Sequence, residues 1–428
     1  VSREITVYPA PMATMVEAEP RTDLGIRTLI AGDGVRGVGA LFVFATHVCL
    51  LADPVANNNL LSYGWAAPIL GHIDLALSAF FVLSGYLIAR PFTRAYVTGG
   101  KRPKIRSYVR NRVLRVVPVF YFFTILVLLR FGLDGSLEAG AAAPEARSEW
   151  WQVVTQFLFI QGQTAGPASI PIGPAWSIGS EVGFYFVMPL AAYGAYFAGR
   201  RLKGQYARAG FALAAIGFVF VVSIALRAVD KYHFAWLTAP PAIMYGFMPG
   251  VALGIVEPLI AAPLRERARL AKQLAWGAFA IGLLCAIVYT TSDYDPRQTP
   301  IHHALGVRAM LAALCTGLLF FGLIVLQIGT GRAPRLFANQ GILWLGARSY
   351  SFYLVHIWVL LELDRLLGSD GSLATRLAIM AGIGFPLTVL SGALTYRYIE
   401  LPFLQRKIRT TQHTPAEALP PAAAEPAR

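Results

Sequence analysis

Charge is what this sequence has least of: 14% of its 428 residues are Asp, Glu, Lys or Arg, where a soluble domain carries about a quarter. Hydrophobic residues make up 56%, and long apolar runs recur from Val35 to Phe403. That excludes a water-soluble enzyme and leaves a polytopic membrane protein. Cysteine is nearly missing as well. Cys49, Cys285 and Cys315 lie in apolar runs with no CxxC or Cys/His spacing, so no disulfide framework and no metal site is expected. The adjacent His302 and His303 point different ways and are assigned no metal either. A Gly-x-Ser-x-Gly elbow is absent, which argues against a serine nucleophile of that kind. No signal-peptide pattern opens the chain, so insertion is expected to rest on the first membrane helix. No repeat of fixed period is visible, which weakens an inverted-repeat transporter reading.

What is present is an all-α pattern. About ten spans of membrane-crossing length can be drawn, at 34–52, 74–96, 114–133, 174–198, 209–228, 239–258, 273–290, 304–328, 344–366 and 376–400. The net charge is +14, but the basic residues sit in alternate loops rather than on a nucleic-acid face. Residues 90–115 hold nine Lys or Arg and no acid, and 200–208 and 265–272 are also basic. The intervening loops carry acids, among them Asp134, Glu138, Asp293 and Asp295. By the positive-inside rule both termini are cytoplasmic. Three regions follow: a disordered tail at 1–30, a transmembrane domain at 31–409, and a disordered Pro/Ala-rich tail at 410–428, with no second soluble domain expected.

Five stretches carry side chains that chemistry could use. In Asp33-Gly34-Val35-Arg36-Gly37, Arg36 precedes His47 by eleven residues. That is about three helical turns, so both fall on one face, roughly 16 Å apart along the axis. Ionisable groups inside a bilayer are read as functional by default; the bland reading is a snorkelling Arg and a hydrogen-bonded His. Arg110, Arg112 and Arg115 enter the third span from the basic loop, and guanidiniums three residues apart suit phosphates; plain topology is the alternative. Ser84-Gly85-Tyr86 offers close approach and a hydroxyl, or simply small-residue packing. Glu181 lies about two turns inside a span opened by Pro174, at a depth where it could couple to His47 or pair with a buried Arg. Finally, His356 lies within the ninth span, where a structural role is favoured, and Arg397 and Glu400 are spaced to pair.

These pieces, in this order, resemble the acyltransferase-3 family of membrane proteins over residues 31–404. The resemblance rests on Arg36 with His47, Phe-Phe-Val-Leu-Ser-Gly-Tyr at 80–86, Arg112-x-x-Arg115-x-x-Pro118, and Trp176-Ser177 with Glu181 and Phe184-Tyr185. It continues with Ser349-Tyr350-Ser351 and His356, then Ile399-Glu400-x-Pro402. Ser78 stands where an Asp commonly precedes the Phe pair, and Val182-Gly183 where many members have Glu and Gln. The resemblance implies a ten-helix enzyme of the cell (plasma or inner) membrane, without the SGNH-type esterase domain that some members carry. It would move an acyl group, acetyl first among them, from acyl-CoA to a hydroxyl of a carbohydrate, glycolipid or glycosylated natural product. His47 is then the expected base or acyl carrier, with Glu181 orienting it and Arg36 at the groove entrance. Arg110, Arg112, Arg115, Ser84 and Tyr86 fall on the donor side. The competing class is a transporter or flippase for a lipid-linked or anionic solute.

Overall fold

The computed structural model describes residues 30–52, 75–131, 150–164, 173–229, 237–291, 301–368 and 371–412. Of the tails predicted at 1–30 and 410–428, residues 1–29 and 413–428 lie outside them, whereas 410–412 end a helix. The acid-bearing loops around 134–149 and 293–297 and the side chains of His302 and His303 also lie outside them. Among the described residues the chain is helical, with no strand. The longer helices are α1 (Ile30–Ala52), α2 (Leu75–Thr98), α3 (Ile105–Phe131), α4 (Trp150–Phe157), α5 (Trp176–Ala198), α6 (Gln205–Val229) and α7 (Met248–Glu266). They continue with α8 (Ala268–Thr291), α9 (Ile301–Thr330), α10 (Gln340–Ala347), α11 (Ser349–Leu367), α12 (Leu373–Gly382) and α13 (Gly384–Thr395). A π turn, Tyr396–Glu400, then leads into α14 (Leu401–Gln412).

Eight stretches of described helix are long and apolar enough to cross a membrane, so the chain is a multi-pass membrane protein. Two further predicted spans, 174–198 and 344–366, correspond to α5 and to the α10–α11 pair. The second was expected as one helix. It breaks at Arg348, whose φ of −107° and ψ of 5° leave the helical region, and Asn339 caps the short α10 by accepting the Gly341 N–H at 2.9 Å. Turns rich in Lys and Arg join α2 to α3, α5 to α6 and α7 to α8, and alternating helix direction puts all three at one end of the bundle, the basic end. Gly99 ends α2 there in the left-handed region, at φ 72°, a conformation that costs glycine little.

The bundle is sealed by small residues. Gly85 of α2 lies against the Phe247 carbonyl, and Gly250 of α7 against the Val82 carbonyl. A Cβ at either position would collide with backbone, so α2 and α7 approach more closely than larger residues allow. Polar groups lock the same pair: Arg90 donates twice to Glu257, both at 2.6 Å, and Tyr86 once at 3.0 Å. Inside a membrane a paired charge of this kind is what the low dielectric permits.

Candidate active site

The site begins with why α1 sits where it does. A Cβ at Gly34 would fall on the Phe337 carbonyl, one at Gly37 on the Ile342 carbonyl, and one at Gly346 on the Asp33 carbonyl. The glycines of Asp33-Gly34-Val35-Arg36-Gly37 therefore set α1 directly on the backbone around α10. Between them Arg36 projects, steadied by Asp33, which accepts from its Nη1 at 2.8 Å.

Arg36 faces a cavity of about 100 Å³ lined also by Ser84, Arg115, Glu181, Tyr185 and Tyr350. Helices α1, α2, α3, α5 and α11 each supply a wall. Glu181 Oε1 accepts from Ser84 Oγ and from Tyr185 Oη, both at 2.8 Å, so its place is fixed from two helices. Arg36 and Arg115 lie within electrostatic reach of Glu181 and of Glu400. The chamber thus holds the guanidiniums of Arg36 and Arg115 with the Glu181 carboxylate, and Asp33 and Glu400 stand close by, in an apolar interior where such charges persist only as a compensated group.

Glu400 was expected to pair with Arg397. Instead Arg397 is exposed, while Glu400 is 1% exposed and accepts from Ser351 Oγ at 2.6 Å. The π turn explains the difference. Leu401 N–H reaches back five residues to the Tyr396 carbonyl, so one extra residue is wound into the turn and the i,i+3 register is lost.

His47 lies in the outer half of α1. Its Nδ1 is 2.8 Å from the Val43 carbonyl and 3.3 Å from Nε2 of His356. A carbonyl can only accept, so Nδ1 carries the proton and donates. His356 Nδ1 is likewise 2.5 Å from the Tyr353 carbonyl, which fixes its proton on Nδ1 and leaves Nε2 as the lone pair that faces His47. The consequence is chemical: His47 presents an unprotonated Nε2. Sequence spacing suggested Glu181 as the group orienting this ring. In the structure Val43 and His356 hold it, and Glu181 is engaged by Ser84 and Tyr185. The link back to the chamber runs through Tyr353, a chamber residue whose hydroxyl is 2.9 Å from Ser177 Oγ.

Three expected donor-side residues lie elsewhere. Tyr86 is two positions past Ser84, about 200° around the helix, and its hydroxyl is spent on Glu257. Arg110 is exposed, its Nη2 donating to the Arg406 carbonyl at 3.3 Å. Arg112 stacks on the rings of Tyr108 and Tyr185, 5.7 and 5.5 Å from their centroids. It lines a separate apolar groove of about 680 Å³ between α3 and α5. Val116 and Tyr185 line both that groove and the chamber, so one layer of side chains divides them. The contacts of His356 and Glu400 are the ones that the sequence did not show. Their partners stand 309 and 49 residues away, and no local spacing shows either contact.

The acyltransferase domain of the acyltransferase-3 family matches residues 30–397. Acyltransferase MdmB of Streptomyces mycarofaciens is 26% identical over 399 residues, covering 87% of this chain and 90% of that protein. A putative peptidoglycan O-acetyltransferase, YrhL of Bacillus subtilis (strain 168), is 24% identical over 402 residues, 88% of this chain and 55% of its own length. A putative O-acetyltransferase of Staphylococcus aureus (strain COL) is 23% identical over 394 residues, 90% and 58% of the two chains. This chain therefore spans a little over half of the latter two. No solved structure matches it significantly.

Proposed function

The chain belongs to the acyltransferase-3 family, and from that premise we propose that His47 is the general base of this membrane O-acyltransferase. The donor is acyl-CoA, acetyl-CoA first, and the acceptor is a hydroxyl of a carbohydrate, glycolipid or glycosylated small molecule at the cell membrane. One observation carries the reading: the Val43 carbonyl and His356 together hold the His47 proton on Nδ1, leaving Nε2 to receive another.

In the reaction, His47 Nε2 takes the proton of the acceptor hydroxyl as its oxygen attacks the thioester carbonyl. The new C–O bond forms, the C–S bond breaks, and the departing thiolate recovers the proton from Nε2. Arg36 lies roughly 16 Å along α1 from His47, too far to reach the same carbonyl. With Arg115 it is better suited to the phosphates of the donor, bound bidentately, while the extended pantetheine arm carries the thioester outward. Glu181 then holds the two guanidiniums in register. Family membership and relatives named O-acetyltransferases favour this over the transport reading.

The test compares membranes holding wild type or His47→Ala at matched levels, given labelled acetyl-CoA and an envelope extract. Wild type should label a glycan or glycolipid and release CoA, and His47→Ala should do so at least about 100-fold more slowly. Equal rates would remove His47 from the mechanism.

A further inference from the structure

A second polar cavity lies at the end of the bundle opposite the basic turns. It encloses about 300 Å³, the lower end of the range for small-molecule sites. Arg227 from the last turn of α6 and Arg308 from the early turns of α9 both line it, with Tyr245, Tyr289 and Thr238. The Arg227 guanidinium carbon sits 5.1 Å above the Tyr245 ring centroid, and that of Arg308 4.5 Å above Tyr289. Stacking of this kind holds a guanidinium by its face. Arg227 Nη1 donates to the Leu237 carbonyl at 3.0 Å, but its Nε is buried with no hydrogen-bond partner. A buried donor without an acceptor is costly, and it marks a place for one. No Asp or Glu is among the described residues lining this cavity.

The cavity adjoins the chamber described above, because Leu77 and Phe81 line both. A molecule entering from the end opposite the basic turns would meet the two arginines first and the chamber beyond that shared wall. We propose that Arg227 and Arg308 bind an oxyanion, a phosphate or carboxylate, borne by the acceptor itself. The acceptor is thus an anionic, hydroxyl-bearing molecule, and the anion orients its hydroxyl toward the chamber. This rests on the acyltransferase reading given above.

The full chain in neutral detergent would be given labelled glucose 1-phosphate, with methyl glucoside as the neutral control. Wild type should bind the phosphate and not the glucoside, and Arg227→Gln/Arg308→Gln should bind it about tenfold more weakly or worse. Binding of labelled acetyl-CoA should be equal in the two proteins, which also reports on folding. If the double variant fails to accumulate, Arg308→Gln and Arg227→Lys alone give the comparison, the lysine keeping charge but losing the planar fork. Equal phosphate binding by wild type and variants overturns the proposal. So does competition by phosphatidylglycerol that leaves acetyl transfer to the envelope extract unchanged, since the site would then hold a lipid headgroup and not the acceptor. Acetyl transfer is followed in parallel. Phosphate binding without any transfer would sink the acyltransferase reading and spare the anion site, whereas transfer with no anion discrimination would sink the site alone.

Discussion

His47 rests edge-on against His356, the ring centroids 4.8 Å and the planes 71° apart. Phe352 lies parallel to His356 at 6.4 Å, so the second imidazole is fixed by the carbonyl of Tyr353 and by an aromatic neighbour. Two imidazolium charges so close in a low-dielectric interior would repel strongly. In the proposed reaction, the proton goes to His47 while His356 stays neutral and offers its Nε2 to the charged ring. On the mechanism proposed above, this makes His356 a positioning residue that acts on the reaction through His47.

Removing that support should be visible in more than rate. His356→Ala is expected to lower transfer by about 10- to 100-fold, less than His47→Ala, and to displace the pH–rate profile because the charged ring loses an acceptor. His356→Gln, which can still accept, should recover part of both. A profile that does not move in His356→Ala would show the contact to be packing only.

Gly37 is a second lever on the same helix. A methyl group there falls on the Ile342 carbonyl, so Gly37→Ala must push α1 away from α10. Overpacking of this kind costs about 1–3 kcal/mol. The thermal midpoint of the detergent-solubilised protein should fall, and the KM for acetyl-CoA should rise because Arg36 moves with the helix. A change in midpoint with no change in KM would separate Arg36 from donor binding.

Tyr86 separates a binding role from a structural one. Its hydroxyl serves Glu257, within the α2–α7 lock. Tyr86→Phe should cost about 1 kcal/mol of stability and leave the KM for acetyl-CoA unaltered. A several-fold rise in that KM would return Tyr86 to the donor site.

Arg376 is a buried cation with a purely architectural set of partners. It is 1% exposed, and it donates to the carbonyls of Ala52, Gly368 and Leu51 at 3.0, 2.6 and 3.1 Å, and to Asp364. One guanidinium therefore closes the C-terminal ends of α1 and α11. Arg376→Leu should destabilise by about 3 kcal/mol or more, read as lower accumulation and a lower thermal midpoint. Arg376→Lys should rescue little, since one ammonium cannot span those acceptors.

The sequence is a good guide wherever a single segment carries the information. Arg36 and Arg115 stand out because a cation in an apolar run is expensive, and both do line the chamber. Ser84 and Glu181 were legible separately, and the structure joins them by a hydrogen bond. Long-range partners were not legible. Glu181 and His47 lie at similar depth, which suggested a couple, but depth says nothing about which helix stands beside which. The break at Arg348 carries no proline to announce it, and the π turn at Tyr396–Glu400 shifts the register on which an Arg397–Glu400 pair was expected. Arg227 and Arg308 stand on different helices, and only folding sets them on one cavity.

The glycine contacts of α1 have a mechanical meaning as well. Helices slide past one another where a layer of side chains can change rotamers between them. At Gly34, Gly37 and Gly346 no such layer exists, because backbone meets backbone. The rod bearing both Arg36 and His47 is thus a stator relative to α10. On the proposed mechanism, whatever travels the distance between those two residues is the substrate, and a crosslink joining α1 to α10 should leave turnover intact.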